Sequence, residues 1–292
     1  MVPPAESQLQ SSISITKVKS INSKGGVVGL IRRLTITLAM VFFLFPFIWM
    51  VILSLRPNSV NTSGKIGFPF IPTISHYVGM ISSTDILNAL WTSVETSFIT
   101  MLLALVVGVP SAYAIASLRL KWDWVVILLP RMLPFMGFVV PWYVMFLNIH
   151  LLGTFIPISI AELVVSLPIL VWSTASYLAT LPKQLEEAAR IDGANSIQIL
   201  LYIIIPSGLP GIVTGAILAW INAWNMFFFP LILGGASTGT LPVAAAQFVS
   251  YGTVDYGGLA SVATLMILPV LVVTLYLQKY IVTGLTSGAV KG

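Results

Sequence analysis

"EEAARIDGANSIQILLYIIIPSGLP", residues 186–210, is the stretch that decides the fold. Four of its first seven residues carry charge, although charged residues make up only 8% of the chain. Glu186 and Glu187 stand early in a helix-forming segment and Arg190 stands late, as the helix dipole favours. Glu186 and Arg190 are also an i,i+4 pair. Pro182 suits a first helical turn, where its missing N–H costs nothing. Ala188 and Ala189 leave a smooth flank against which another protein can pack. Gly193 permits the positive φ that ends a helix sharply. Asn195 or Ser196 can then cap a second helix, "IQILLYIII", that runs into apolar sequence. The spacing predicts helix, tight turn, helix: a compact knob near residues 181–203. The alternative is a plain connecting loop, which seldom carries this much ordered helix chemistry.

Working outward, the composition sets the solvent. Of 292 residues, 57% are hydrophobic. A soluble domain has about 45–50% apolar and about 25% charged residues. The charge needed to solvate a globular surface is missing, so the chain is predicted to be an all-α integral membrane protein. Long continuous apolar runs favour helices over a barrel. With no cysteine, disulfides and thiolate-bound metals are excluded. Six spans, each near or above the roughly 20 residues a bilayer requires, are expected at 34–55, 91–117, 124–147, 155–179, 204–233 and 259–279. The segment 234–258, rich in Gly, Ser and Thr, is expected to be a loop that holds Asp255.

Charge asymmetry orients these spans. A cytoplasmic N-terminus puts eleven basic residues inside: Lys17, Lys19, Lys24, Arg32, Arg33, Arg119, Lys121, Lys183, Arg190, Lys279 and Lys291. Only Arg56 and Lys65 fall outside, and Arg131 lies within the third span. The positive-inside rule is met, both termini are cytoplasmic, and the net charge of +5 marks topology rather than nucleic-acid binding. Residues 1–30 are polar, basic and Ser-rich, without the early apolar core of a cleaved signal, and are expected to form a cytoplasmic tail. A surface-lying amphipathic helix is the other option there. Residues 31–292 form the membrane domain.

Nothing in the chain suggests catalysis. No GxxxxGK[ST] occurs, and Gly64-Lys65 is followed by Ile. No Ser/His/Asp set or carboxylate pair stands out, and His76 and His150 fall in expected outer loops. No catalytic or metal-binding residue is therefore assigned. Ionisable groups within spans usually face protein or water. Glu95 and Glu162 are expected near the outer ends of their spans, where they line a path, pair with a partner or reach outer water. Arg131 either lies buried or snorkels to the inner headgroups.

The spacing around the knob carries a family resemblance. Glu187-Ala188-Ala189, three residues, Gly193, nine residues, Ile203, one residue, Ile205-Pro206 resembles the EAA signature of ATP-binding-cassette (ABC) importer permeases. Ile205 stands where that family usually has Leu. "EAARIDGA", 187–194, resembles the carbohydrate-importer branch. The ending "QKYIVTGLTSGAVKG", 278–292, resembles the tail of the smaller maltose-type permease subunit, with Thr283 where Arg is frequent. The resemblance implies a type I importer permease fold and a carbohydrate-importing function in the cell membrane. It implies a sister permease, two ATPase subunits that bind ATP and Mg in place of this chain, and an extracytoplasmic sugar-binding protein. The knob residues Glu186, Glu187, Ala188, Ala189, Arg190, Asp192 and Gly193 would couple to the ATPase. The tail near Gly284–Gly288 would run along the ATPase pair. An ion-driven secondary transporter and an ABC permease for a non-sugar solute remain alternatives, and a purely structural membrane protein has less support. A secondary transporter would want inverted repeats and broken helices at midplane.

"WINAWNMFFFP", 220–230, is the candidate substrate path. Trp220 and Trp224 are i,i+4 neighbours, and Asn222 and Asn225 are i,i+3 neighbours. With the fifth span at 204–233 they fall near its middle, where an amide facing lipid would be costly. Amides suit sugar hydroxyls and indoles suit the apolar face of a pyranose. A helix–helix interface joined by Asn is the competing reading. The resemblance leans toward the path, because maltose-type permeases line their cavity partly with this span; Glu95 is grouped with it.

Overall fold

A computed structural model describes residues 27–63, 69–118, 129, 131–132, 136–235, 238–250 and 253–286. It divides into two units, residues 1–49 and 50–292. The first consists, where described, of most of α1 (Val27–Ser54), an apolar helix containing Pro46 whose side chains are largely exposed. The helix begins within the expected 1–30 tail; residues 1–26 lie outside the described residues.

The second unit is a helical bundle. Short α2 (Asn58–Asn61) and α3 (Ser75–Ser82) precede α4 (Thr84–Leu118), which contains Pro110. After α5 (Met136–Asn148) come α6 (Phe155–Leu178), α7 (Gln184–Ile191) and α8 (Ser196–Ile199). A π turn over Leu200–Ile204 leads into α9 (Ile205–Trp224). Then follow α10 (Phe228–Leu233), α11 (Leu241–Ala246), a hairpin of β1 (Val249–Ser250) and β2 (Thr253–Val254), and α12 (Tyr256–Thr286).

Among the described residues, five helices are long and apolar enough to cross a membrane. Of the expected third span, 124–147, residues 124–128, 130 and 133–135 lie outside the described residues; α5 covers 136–147, and Arg131 is exposed. The fifth span differs most from expectation. It starts at Ser196 and stops at Trp224, with a break at residues 225–227. Pro230 explains the stop: it has no N–H to give Met226, and its ring would clash with that carbonyl in a continued helix. Placed instead in the first turn of α10, it costs nothing. The π turn has a similar cause. Pro206 cannot bond back to Tyr202, and Ile205 instead donates to the Leu200 carbonyl, five residues earlier.

Small residues bring α9 against α6. A Cβ on Gly211 would lie 2.5 Å from Tyr177 Cγ, and one on Gly215 2.6 Å from Thr174 Oγ1. Such glycines let helix backbones approach where lipid supplies no hydrophobic drive. Gly108 of α4 likewise meets Leu170, so α4, α6 and α9 share a core of Ala104, Val109, Leu170, Ile212 and Ala219. Thr214 of α9 donates to the Tyr280 carbonyl of α12 at 2.8 Å.

The 234–258 segment is folded rather than an open loop. Leu241 and Ala244 are buried with Met80, Ile86 and Val262, and the Leu241 amide donates to Ser93 Oγ at 2.8 Å. Asp255 accepts from Asn58 Nδ2 at 2.6 Å and from the Gly258 amide at 2.7 Å, capping α12. The knob contacts α4 at Ser117, at the other end of that helix. Ser93 and Ser117 lie about 36 Å apart at 1.5 Å per residue, enough to cross a hydrocarbon core of about 30 Å.

Candidate functional site: the knob and the far end of α9

The knob is built from two reciprocal caps. Gly193 has φ +86°, the left-handed conformation that only glycine adopts without strain. The Ala194 amide reaches back to the Ala189 carbonyl at 2.9 Å, and the Gly193 amide to Arg190 at 3.1 Å. These two bonds form a complete Schellman closure of α7. Asn195 opens the next helix with a capping box: its Oδ1 accepts from the Gln198 amide at 3.0 Å, while Gln198 Oε1 accepts from the Asn195 amide at 2.9 Å. Gly193 and Ala194 thus stand between a closed helix end and a capped helix start, which sets the direction of the turn.

The knob residues divide by the direction they face. Glu187, Ala188, Asp192 and Gly193 are exposed. Ala189 does not contribute to an outer flank as expected. It is buried with Ala112, Ile115 and Ile199, where its small size lets α7 close onto α4 and α8. Glu186 also turns inward, accepting from Tyr113 Oη at 2.9 Å, from Ser117 Oγ at 3.0 Å and from Arg190 Nη2 at 2.8 Å. Burial alone would raise the Glu186 pKa, but hydrogen bonds from Arg190, Tyr113 and Ser117 outweigh it and hold the group below the ordinary glutamate value. A depressed folded pKa means that this support is present throughout the neutral range. It is lost only as pH falls through the lowered value.

The sequence pattern did not single out Ile191, Ile197, Tyr113 or Ser117. Ile191 is 86% exposed at the end of α7, and Ile197, past the turn, is 69% exposed. An apolar residue immediately before the Asp-Gly turn was the available signal.

At the far end of α9 the candidate path residues separate. The 29-residue helix Ser196–Trp224 puts Trp220 and Trp224 at its outer terminus, not mid-span. The two indoles stack with centroids 5.6 Å apart. Trp224 is 2% exposed, and its Nε1 donates to the Met266 carbonyl of α12 at 3.0 Å. It joins α9 to α12 and is buried between them. Asn225 lies past the helix as its C-cap, exposed, with Nδ2 donating to the Ile221 carbonyl at 2.7 Å. Asn222 and Trp220 are half-buried, and Asn222 Oδ1 accepts from Ser166 of α6 at 3.3 Å. Glu95 is half-buried on α4, while Glu162 is fully buried and accepts from Thr100 Oγ1 at 3.0 Å. Glu162 therefore does not reach outer water.

With this geometry in view, residues 104–287 match the family model of the binding-protein-dependent transport system inner membrane component. The chain belongs to that family. It is a multi-pass inner-membrane permease. A trehalose transport system permease from Mycobacterium tuberculosis is 34% identical over 262 residues, covering 88% of this permease and 95% of that one. A trehalose/maltose transport system permease from Thermococcus litoralis is 29% identical, with coverage of 85% and 92%. An arabinooligosaccharide transport system permease from Halalkalibacterium halodurans is also 29% identical, with coverage of 89% and 96%. A bacterial ABC transporter that imports alginate shares the fold at a TM-score of 0.68 and 22% identity, over 87% of this permease and 96% of that chain. The permease thus has the fold of ABC importer membrane subunits, a class whose function requires ATPase components.

Proposed function

We propose that this permease forms half of the translocation path of an ATP-driven importer for a mono- or oligosaccharide. A sister permease forms the other half, two ATPase subunits bind ATP and Mg, and an extracytoplasmic binding protein delivers the sugar. The observation that carries this reading is the knob itself: a Schellman turn whose exposed residues combine Glu187 and Asp192 with the apolar Ile191. Ile191 and Ile197 give a partner apolar area to bury, at about 25 cal/mol per Å². Glu187 is free to accept a hydrogen bond or ion pair from the ATPase. The sugar class follows from relatives whose names specify trehalose, maltose or arabinooligosaccharide transport.

Reconstitution in proteoliposomes tests the proposal. Uptake of labelled trehalose or maltose is expected to require ATP on the knob side and the binding protein on the other. Uptake that ignores ATP but collapses with an ionophore would instead make the chain a secondary transporter.

Asn222, Trp220, Asn225 and Glu95 are the groups assigned to the path. Asn225 is the most accessible of them. Its replacement by Leu is expected to lower sugar uptake while complex assembly and ATPase activity stay intact. Among the described residues the side chain bonds only to its own helix end, so assembly should not depend on it. Dissociation of the Asn225→Leu complex would make the residue structural.

The binding protein is assigned to the outer surface made by segments 56–87 and 234–258, which pack together through Asn58 and Asp255. Cross-links from the binding protein are expected there, and cross-links to residues 118–123 would reverse the topology.

A further inference from the structure

The joint between knob and bundle is polar where its surroundings are apolar. Tyr113 and Ser117 are i,i+4 neighbours near the end of α4, so their hydroxyls face one turn of α7. Both donate to Glu186, at 2.9 Å and 3.0 Å, and Ser117 also approaches the second carboxylate oxygen at 3.3 Å. Arg190 approaches the same carboxylate from the solvent side at 2.8 Å, and the Glu186 side chain is 19% exposed. Hydrogen bonds to a charged acceptor are shorter and stronger than neutral ones.

Beside this link lies a cavity of about 430 Å³, lined by Tyr113, Ser117, Leu178, Lys183, Glu186 and Ile204. On that side α7 has open space rather than packed side chains behind it. The backbone route into α9 passes through the π turn over Leu200–Ile204 and then Pro206 and Pro210, the features at which helices bend. The Glu186 link to α4 offers a second route, short and directional.

We infer that Glu186, held by Tyr113 and Ser117, is a positioning residue that makes α7 and α4 move as one body. Displacement of the knob then reaches α4 directly, and with it Glu95 in the opposite half of that helix. The two adjacent acids have separate tasks: Glu187 faces the partner, and Glu186 ties the knob to the membrane helix. The inference rests on the ATPase-coupling reading proposed above.

The test uses the whole complex in proteoliposomes: this chain, its sister permease, the ATPase subunits and the binding protein. Tyr113→Phe combined with Ser117→Ala removes both hydroxyls and leaves the knob's exposed face untouched. Assembly and basal ATPase activity are expected to be unchanged. Sugar transported per ATP, and stimulation of the ATPase by sugar-loaded binding protein, are expected to fall by about tenfold, within the usual range of coupling between sites. An unchanged ratio would overturn the inference.

Because the chain has no cysteine, Ser117→Cys with Glu186→Cys supplies a second test. This pair is expected to be uncoupled until a short bis-thiosulfonate, verified by mass spectrometry, bridges the two positions and restores coupling. A verified bridge that leaves the complex uncoupled, or blocks it, overturns the proposal even if the hydroxyl variant fails to assemble. Failure of the sugar-importer reading looks different, because the unaltered complex would then carry no sugar. Binding-protein stimulation of the ATPase still scores the link in that case.

Discussion

Gly193→Val is expected to abolish ATP-driven uptake while the permease still inserts into the membrane in normal amounts. The residue sits at φ +86° with nothing within 4 Å of a Cβ built on it, so space is not the constraint. Conformation is. A β-branched residue in the left-handed region costs roughly 1–2 kcal/mol, and more when its side chain is stiff. The chain avoids that cost by opening the turn, which breaks the bonds from Ala194 to Ala189 and from Gly193 to Arg190. The exposed pair, Ile191 with Asp192, then points elsewhere. No transmembrane helix depends on those two bonds, so insertion survives. Uptake and co-purification of the ATPase subunits are the measurements. Wild-type uptake by Gly193→Val would remove this turn as the coupling joint. Gly193→Ala is expected to retain more activity than Val, because alanine enters the left-handed region at lower cost than a β-branched residue.

The knob was legible in the sequence because its determinants are local. Gly193, Asn195 and Gln198 act within five residues of one another, and Glu186 meets Arg190 one turn away. The apolar runs announced four of the long spans equally well, since bilayer thickness demands length and little else. The interior was harder to read. A helix that is apolar all round carries no phase, so nothing in "WINAWNMFFFP" told that Trp224 faces the core while Asn225 caps the end. Trp224 is fixed by Met266, 42 residues away, and Glu186 by Tyr113, 73 residues away. Placing the fifth span at 204–233 had a different cause. The polar start of the helix at Ser196 belongs to the knob's sequence pattern, and a proline such as Pro230 can kink a span as well as end it. Shifting the helix by several residues turned a terminal tryptophan pair into a mid-span one.

Gly211→Leu is expected to prevent accumulation of folded permease altogether. Helix pairs in lipid associate through close packing, because lipid tails compete on equal terms with apolar side chains. Gly208, Gly211 and Gly215 form one face of α9, at spacings of three and four residues, against Leu178, Tyr177 and Thr174 of α6. At Gly211 an added Cβ would lie 2.5 Å from Tyr177 Cγ and 2.8 Å from its Cδ1. Tyr177 Cβ is nearer still and is fixed by the α6 backbone, so rotating the tyrosine does not clear it. The helices must separate, which exposes the shared core of Val109, Leu170 and Ile212. Overpacking a tight interior costs about 1–3 kcal/mol for a modest excess of volume, and a full leucine side chain at a backbone contact exceeds that. Gly79, where a Cβ meets nothing within 4 Å, is the control. Gly79→Ala is expected to accumulate normally, whereas Gly211→Leu is expected to be degraded or to run as aggregate in detergent size-exclusion chromatography. Normal accumulation of Gly211→Leu would mean that α6 and α9 do not touch along this face. The glycine stripe would then have no part in holding the path-forming helices together.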